Sequence, residues 1–406
     1  VQSALIMPSL FHLLTMARKT HPELLARAKT ILHAVLSLHA AFWVLWLFYA
    51  FGFAPSLPER DWFLLREVAK SFVAGDWHSL YLDREVSAGT LFFRYPPFVL
   101  YLIAPLALLP PLGAYALVCV VQLIAAISML LLLFRIRKPN EPDLNISAVF
   151  GSAAMCHLIV SGQNTGLLAL VIAAAAFFWA LGRNVLAGSC IGLLACKPNW
   201  LPVFGLAAIW RGGLRAGAAS ALTVAALILS TVPLGAGVWR DFFAVTTRTG
   251  EIETRLLAYK EITLLAALKT IFGWGALTKV VWGFALAGLT ALVIRALRDA
   301  RPIGRSIALL TLLAVVANPY AHFYDGFVLA VPGTLWYAHR NAYSSRAWWI
   351  ICAWIAAYWL WDMAVFYYKP LVPGLADPRL SAAGILLTGW LVSEALACPP
   401  ESSDGR

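Results

Sequence analysis

Charge is what this sequence has least of. Only 13% of its 406 residues are Asp, Glu, Lys or Arg, about half the share of a soluble domain. No polar stretch reaches 60 residues, so a long soluble domain is excluded. Acidic side chains are scarcer still, 20 against 31 basic ones, which leaves a formal charge of +11. Those basic residues fall in short segments between apolar runs. That is the positive-inside pattern of a membrane chain rather than the footprint of a nucleic-acid binder. Six cysteines, none in a Cys-x-x-Cys pair, indicate neither a zinc site nor a disulfide framework. Neither a short-period repeat nor a low-complexity tract is present.

What fills the chain is hydrophobic, 61% of it. A spanning helix needs about 20 apolar residues, and roughly a dozen such runs make this an all-α, polytopic membrane protein of about 12 spans plus interfacial helices. The first span is His33–Phe53. Arg18, Lys19, Arg27 and Lys29 precede it, so no cleavable signal is expected and residues 1–32 are assigned to the cytoplasm. Residues 33–397 form the membrane domain and 398–406 a cytoplasmic tail. Two outer inserts stand out, 54–94 and 236–262. In the first, apolar Trp62, Phe63, Leu65, Val68, Ala69, Phe72 and Val73 alternate with Arg66, Glu67, Lys70 and Ser71, which predicts an interfacial helix. The remaining spans are read at 96–109, 112–134, 146–161, 166–181, 185–210, 214–235, 277–297, 303–318, 326–338, 347–366 and 381–397. The run 263–273 is too short to cross. One basic loop, Arg135, Arg137 and Lys138, falls on the outer side in this scheme, and Gly162-Gln163-Asn164 falls on the cytoplasmic side.

Polar islands in apolar surroundings mark where chemistry is to be sought. Lys197, followed by Pro198 and Asn199, interrupts the run Val185–Trp210. A charge at mid-membrane costs about 2.5–3.5 kcal/mol on insertion scales, so Lys197 either answers the carbonyls freed by the proline or binds an anionic leaving group. Asp61, at the start of the interfacial helix, is an N-cap or a carboxylate placed to take a proton from a hydroxyl. Arg94-Tyr95-Pro96-Pro97 opens a helix, with Arg94 and Tyr95 either anchored at the interface or set against a lipid phosphate or a sugar ring. The segment Asn318–Asp325 has no Lys or Arg, yet carries Tyr320, His322 and Asp325, suited to binding phosphate, orienting a hydroxyl or capping a helix. Asp362 is a further carboxylate near the outer end of a late span.

Taken in order, these motifs resemble glycosyltransferase family 87, the polyprenyl-phosphate-mannose-dependent α-mannosyltransferases and relatives of the GT-C superfamily. The match runs over about residues 35–335, through the Asp after the first span, Tyr95-Pro96-Pro97 with Pro105 and Leu109-Pro110, Gly162-Gln163-Asn164, Ala187-Gly188, Lys197-Pro198 and Pro319-Tyr320…Tyr324-Asp325. The resemblance implies a GT-C fold and an inverting transfer on the non-cytoplasmic face. The sugar, usually mannose, moves from a polyprenyl-phosphate donor to a lipid or glycan acceptor without a nucleotide sugar. It further implies Asp61 as general base and maps the Lys-Pro motif onto Lys197-Pro198 and the late His/Asp segment onto His322 and Asp325. Joined to the residue readings above, this puts Lys197, Arg94 and His322 at the donor phosphate and Tyr95, Asn199, Tyr320 and Asp325 at the substrate. No cofactor or metal is expected, and membrane lipids are the other partners. The protein is thus expected to sit multi-pass in a bacterial inner or plasma membrane. Lys260-Glu261-Ile262-Thr263 stands where the family pattern has an Asn-Gln-Ser-like stretch, a segment expected to touch sugar or acceptor. A secondary transporter or a lipid-linked sugar flippase is the alternative, since a broken span with an intramembrane Lys suits those as well.

Overall fold

The computed structural model describes residues 61–136 apart from 83, 87 and 88, then 149–256, 261–299, 303–338, 343–368 and 382–397, with scattered positions between 34 and 45. The first span and both terminal segments of the sequence scheme lie mostly or wholly outside these residues. The architecture is helical, as the sequence requires. It adds one short antiparallel hairpin, β1 (Arg84–Val86) and β2 (Gly89–Leu91), paired Arg84↔Leu91 to Val86↔Gly89.

A helix forms where the periodicity places it, as α1 (Asp61–Val73). It buries Trp62, Leu64, Leu65, Val68 and Ala69, and Arg66 with them, whose Nε donates to the Leu109 carbonyl at 2.9 Å. Against it lie α2 (Val99–Ile103) and a 3-10 turn, Ala104–Leu108. Together these amount to about 15–20 Å of helix, short of the ~30 Å needed to cross. Residues 96–109 are therefore not a span.

The chain then runs into α3 (Pro111–Ile136), α4 (Ala153–Ser161), α5 (Thr165–Ala180) and α6 (Asn184–Leu193). Val185–Trp210 does not form one helix. Two 3-10 turns, Leu194–Cys196 and Pro198–Trp200, flank Lys197. Pro198 removes an N–H and drives its predecessor out of the helical region, and Lys197 has φ −135°, ψ 79°. The next helix, α7 (Leu201–Leu229), reverses at Gly213. There φ is 70° and ψ −173°, a conformation open to glycine and closed to residues with a Cβ. Leu201 and Leu227 join the same apolar cluster, although a straight helix would hold them ~39 Å apart. This agrees with the separation of 185–210 from 214–235 in the sequence scheme. Each half beside Lys197 is only ~18–20 Å long.

The second half comprises α8 (Ala236–Leu256), α9 (Leu264–Phe272), α10 (Ala276–Asp299), α11 (Ile303–Ala317), a 3-10 helix at Phe323–Leu329, α12 (Ala330–Ala338), α13 (Ser345–Tyr368) and α14 (Ala383–Leu396). Residues 263–273 stay short, as expected, with the Thr263 hydroxyl capping α9 at the Ala266 N–H. By length and composition, Pro111–Ile136, Pro198–Leu234 and Ala276–Arg298 suffice to cross a membrane, the second of them doubling back at Gly213. α11 is buried along most of its length and forms the centre against which α12 and α14 pack.

Arg135, Arg183, Arg211 and Arg305 lie at helix ends remote from Lys197. The Arg211 guanidinium reaches Ser306 at 2.8 Å, and that of Arg305 reaches the Glu394 carbonyl at 2.9 Å. Trp179, close to Arg183, lies against Gly212. α3 packs along α5, with Gln122 against Gly166 near one end, so Arg135 is carried towards the same remote side. The basic loop that disagreed with the charge rule thus falls into line, because 96–109 does not cross and the 185–210 run turns back on itself.

Candidate functional site

The break at Lys197 exposes its ammonium to two other segments. Lys197 Nζ pairs with Asp325 Oδ1 and also lies 3.4 Å from Thr165 Oγ1. The Thr165 hydroxyl donates to the same Asp325 oxygen at 2.8 Å. The other carboxylate oxygen accepts from the His322 N–H at 3.1 Å, while the Asp325 N–H donates to the His322 carbonyl at 2.8 Å. The late segment is thereby closed into a tight turn and joined to the start of α5 and to the Lys197 break. An ammonium and a carboxylate that would each be costly to bury alone satisfy one another here.

Asp61 is brought alongside by Gly162. That glycine ends α4 with φ 68°, and a Cβ there would collide with Trp62, the neighbour of Asp61. Gln163 follows, and its side-chain oxygen accepts the Tyr95 hydroxyl at 2.6 Å. Arg94 lies over the Tyr320 ring at 5.8 Å, and Lys197 over the Tyr324 ring at 5.3 Å. Asn199 donates to Asn318 at 2.9 Å, and the same Asn318 oxygen accepts the Tyr320 N–H at 3.0 Å. Burial first, then the charges of Asp61 and Asp325, push the Tyr95 and Tyr324 phenols well above the ordinary tyrosine value, with Arg94 opposing. Both tyrosines are therefore neutral O–H groups at any physiological pH, standing within electrostatic reach of both carboxylates.

These groups line one cleft, about 770 Å³ including its open mouth. All eight residues given a role at the site from the sequence are on its wall: Asp61, Arg94, Tyr95, Lys197, Asn199, Tyr320, His322 and Asp325. Two cations face two carboxylates across a mixed surface, to which Leu64, Leu65, Phe92 and Phe242 add apolar area. Such a cleft can hold an anion at Lys197 and Arg94, a polyhydroxylated ring among the tyrosines and amides, and an apolar chain beside the aromatic residues. Among the described residues, no group of three or more His, Cys, Asp or Glu side chains is placed to hold a metal ion.

Several expectations change. Gly162-Gln163-Asn164 is not remote from the site, since Gln163 lines the cleft. Lys197 is not a lone cation but half of an ion pair. Glu261, Ile262 and Thr263 are fully buried and do not line the cleft. They brace it instead: the Glu261 backbone pairs antiparallel with that of His322, and the Ile262 N–H donates to the Ala321 carbonyl at 2.7 Å. Asp362 is buried on α13 away from the cleft wall. Sequence reasoning assigned no role to Gln163, Thr165 or Tyr324. Gln163 and Tyr324 belonged to motifs already in view, whereas a threonine at the head of an apolar helix carries no signal of its own.

Among curated proteins, none matches this sequence. Among solved structures, the chain is similar to apo ArnT from Cupriavidus metallidurans, at 15% identity and a TM-score of 0.38, covering 92% of this chain and 78% of that one. The family model of glycosyltransferase family 87 matches residues 92–319, more than half of the chain, and the protein therefore belongs to that family of membrane glycosyltransferases.

Proposed function

We propose that the protein transfers a sugar, mannose by the family resemblance, from a polyprenyl-phosphate donor to a hydroxyl of a lipid or glycan acceptor, with inversion at the anomeric carbon. The observation that carries this reading is the convergence of Asp61, Arg94, Lys197 and His322 on one cleft. The family match covers Arg94 and Lys197 but stops before His322 and begins after Asp61, so the roles of those two rest on geometry and on the motif order.

Asp61 takes the proton of the acceptor hydroxyl, a step worth about 10²–10⁴-fold for a positioned base. Asp325 is already engaged, its two oxygens taken by Lys197, Thr165 and the His322 N–H. The acceptor oxygen attacks the anomeric carbon, the bond to the phosphate oxygen breaks, and its electron pair leaves on the phosphate. An oxocarbenium-like transition state follows by analogy with glycoside chemistry. Lys197 and Arg94 stabilise the charge gathering on the departing phosphate, and His322 stands beside them as a further donor. Asn199, Tyr95 and Tyr320 hold the substrate, and Asp325 orients Lys197. The basic residues collected at the opposite helix ends support a cleft on the non-cytoplasmic face of a multi-pass inner or plasma membrane protein. The short helices on either side of Lys197 support a phosphate site recessed below that surface.

The test is transfer by the purified protein in nanodiscs, supplied with radiolabelled polyprenyl-phosphate mannose and a native lipid extract. The expected result is a labelled glycolipid whose new linkage has the inverted configuration. Label that stays on polyprenyl phosphate in the presence of folded protein would overturn this donor.

A further inference from the structure

The reaction geometry requires the transferred sugar to lie between the base and the phosphate site, and that space has a tyrosine whose hydroxyl makes no hydrogen bond among the described residues. Tyr324 lines the cleft one residue before Asp325. Its ring is held between Lys197 Nζ, 5.3 Å from the ring centroid, and the His322 imidazole, whose centroid is also 5.3 Å away. Asp61 and Asp325 both act on its hydroxyl electrostatically. The turn that carries it is pinned from both ends by the His322–Asp325 hydrogen bonds and braced by the Glu261 bridge.

The hydroxyls of Tyr95, Tyr81 and Tyr115 are committed. The Tyr95 hydroxyl donates to Gln163 at 2.6 Å, that of Tyr81 to the Tyr95 carbonyl at 2.9 Å, and that of Tyr115 to the Ile159 carbonyl at 3.1 Å. The Tyr324 hydroxyl makes no hydrogen bond among the described residues. A partly buried phenol in a fixed orientation loses free energy by lacking a partner, and regains it when a ligand supplies one. Its neutrality, maintained by burial and by two neighbouring carboxylates, keeps it a donor to an uncharged oxygen.

Resting on the transferase reading above, we propose that the Tyr324 hydroxyl is a specificity-determining contact, donating a hydrogen bond to one ring hydroxyl of the transferred sugar. The contact exchanges no proton; Tyr324 keeps its hydrogen throughout. It makes the donor sugar class one that presents a hydroxyl at that position. A site of this kind rejects an analogue lacking the hydroxyl far more strongly than an apolar pocket rejects an extra group.

The experiment is a cycle between enzyme and substrate. Wild type and Tyr324→Phe, which keeps the ring and the Lys197 contact, are compared on polyprenyl-phosphate mannose and on its 2-, 3-, 4- and 6-deoxy analogues. The expected result is an about 10–100-fold loss of kcat/KM in Tyr324→Phe on the full sugar. One deoxy analogue should lose a similar factor with wild type, yet lose nothing further with Tyr324→Phe. A structural role, or a contact to the phosphate, would depress every donor by the same factor. That additive result would overturn the proposal, as would near-normal kcat/KM in Tyr324→Phe. If wild type transfers none of these sugars, the donor reading and this inference fall together; if wild type transfers mannose and the losses simply add, only this inference falls.

Discussion

Lys197–Asp325 and Glu261–Lys269 are both ammonium–carboxylate pairs largely removed from solvent, and they stand at the two ends of one connected structure. In the first, the side chains are 14% and 2% exposed and the partners lie 128 residues apart in sequence. In the second they are 3% exposed for Lys269 and fully buried for Glu261, eight residues apart. Both partners of the first pair line the cleft; neither partner of the second does. The difference teaches how to tell chemistry from support when a membrane protein buries charge. Burial alone does not separate the two pairs, because removing a charge from water is costly in either place. What separates them is a free edge facing space large enough for a ligand.

The largest effect should come from unpairing the supporting ion pair. Lys269→Met takes the ammonium from beside the enclosed Glu261 carboxylate, and thermal or denaturant unfolding in detergent should show a loss of about 3–5 kcal/mol. The matched neutral pair, Glu261→Gln with Lys269→Met, should return most of that stability and keep near-normal turnover. A lasting loss of turnover in the matched pair would erase the distinction drawn here. The catalytic pair should respond the other way. Lys197→Met with Asp325→Asn leaves no buried charge unmatched, so the protein should stay folded while turnover falls about 10²–10³-fold, the range for losing one transition-state donor. Retained turnover would reduce Lys197–Asp325 to another brace.

Smaller effects sharpen the boundary between the pairs. Gly162→Ala places a Cβ against Trp62 in a left-handed conformation that costs an ordinary residue about 1–2 kcal/mol. It should lower turnover more than donor binding, because it moves Asp61 and leaves Lys197 where it is. Isothermal titration with the donor, set beside the transfer rate, would show this. The smallest effect concerns pH. The folded Tyr95 and Tyr324 phenols resist ionisation, whereas in the unfolded chain they ionise near 10. The unfolded state then binds fewer protons, so stability is intact below about pH 10 and declines as pH rises beyond it. A thermal midpoint flat to pH 9 and falling above 10 is the expected record, and Tyr324→Phe should lessen the fall.

Much of the site was legible because polarity is conspicuous in an apolar chain. Lys197, His322 and Asp325 each stand out in that way, and Pro198 announced the break. Asp61 stood out by position, at the head of an amphipathic segment. What the sequence could not convey is where a break sends the chain. A 26-residue apolar run satisfies the length of one spanning helix as well as that of two half-helices folded back at Lys197, and hydropathy does not distinguish them. For the same reason 96–109 read as a span, because its apolar character was visible and its division at Ala104 was not. Reading 96–109 as a span misplaced Gln163. The bracing role of Glu261 was hidden for a different reason: a charged residue in a polar insert looks exposed, and its burial depends on α9 folding back to bring Lys269 to it.

The central claim is that Asp61 acts as the base in a cleft whose far side holds the donor phosphate. The most direct measurement is single-turnover transfer by Asp61→Asn in nanodiscs, alongside equilibrium binding of the same polyprenyl-phosphate sugar. Donor binding close to that of wild type, with transfer reduced by about 10²-fold or more, is the expected result. Near-normal transfer by Asp61→Asn would contradict it.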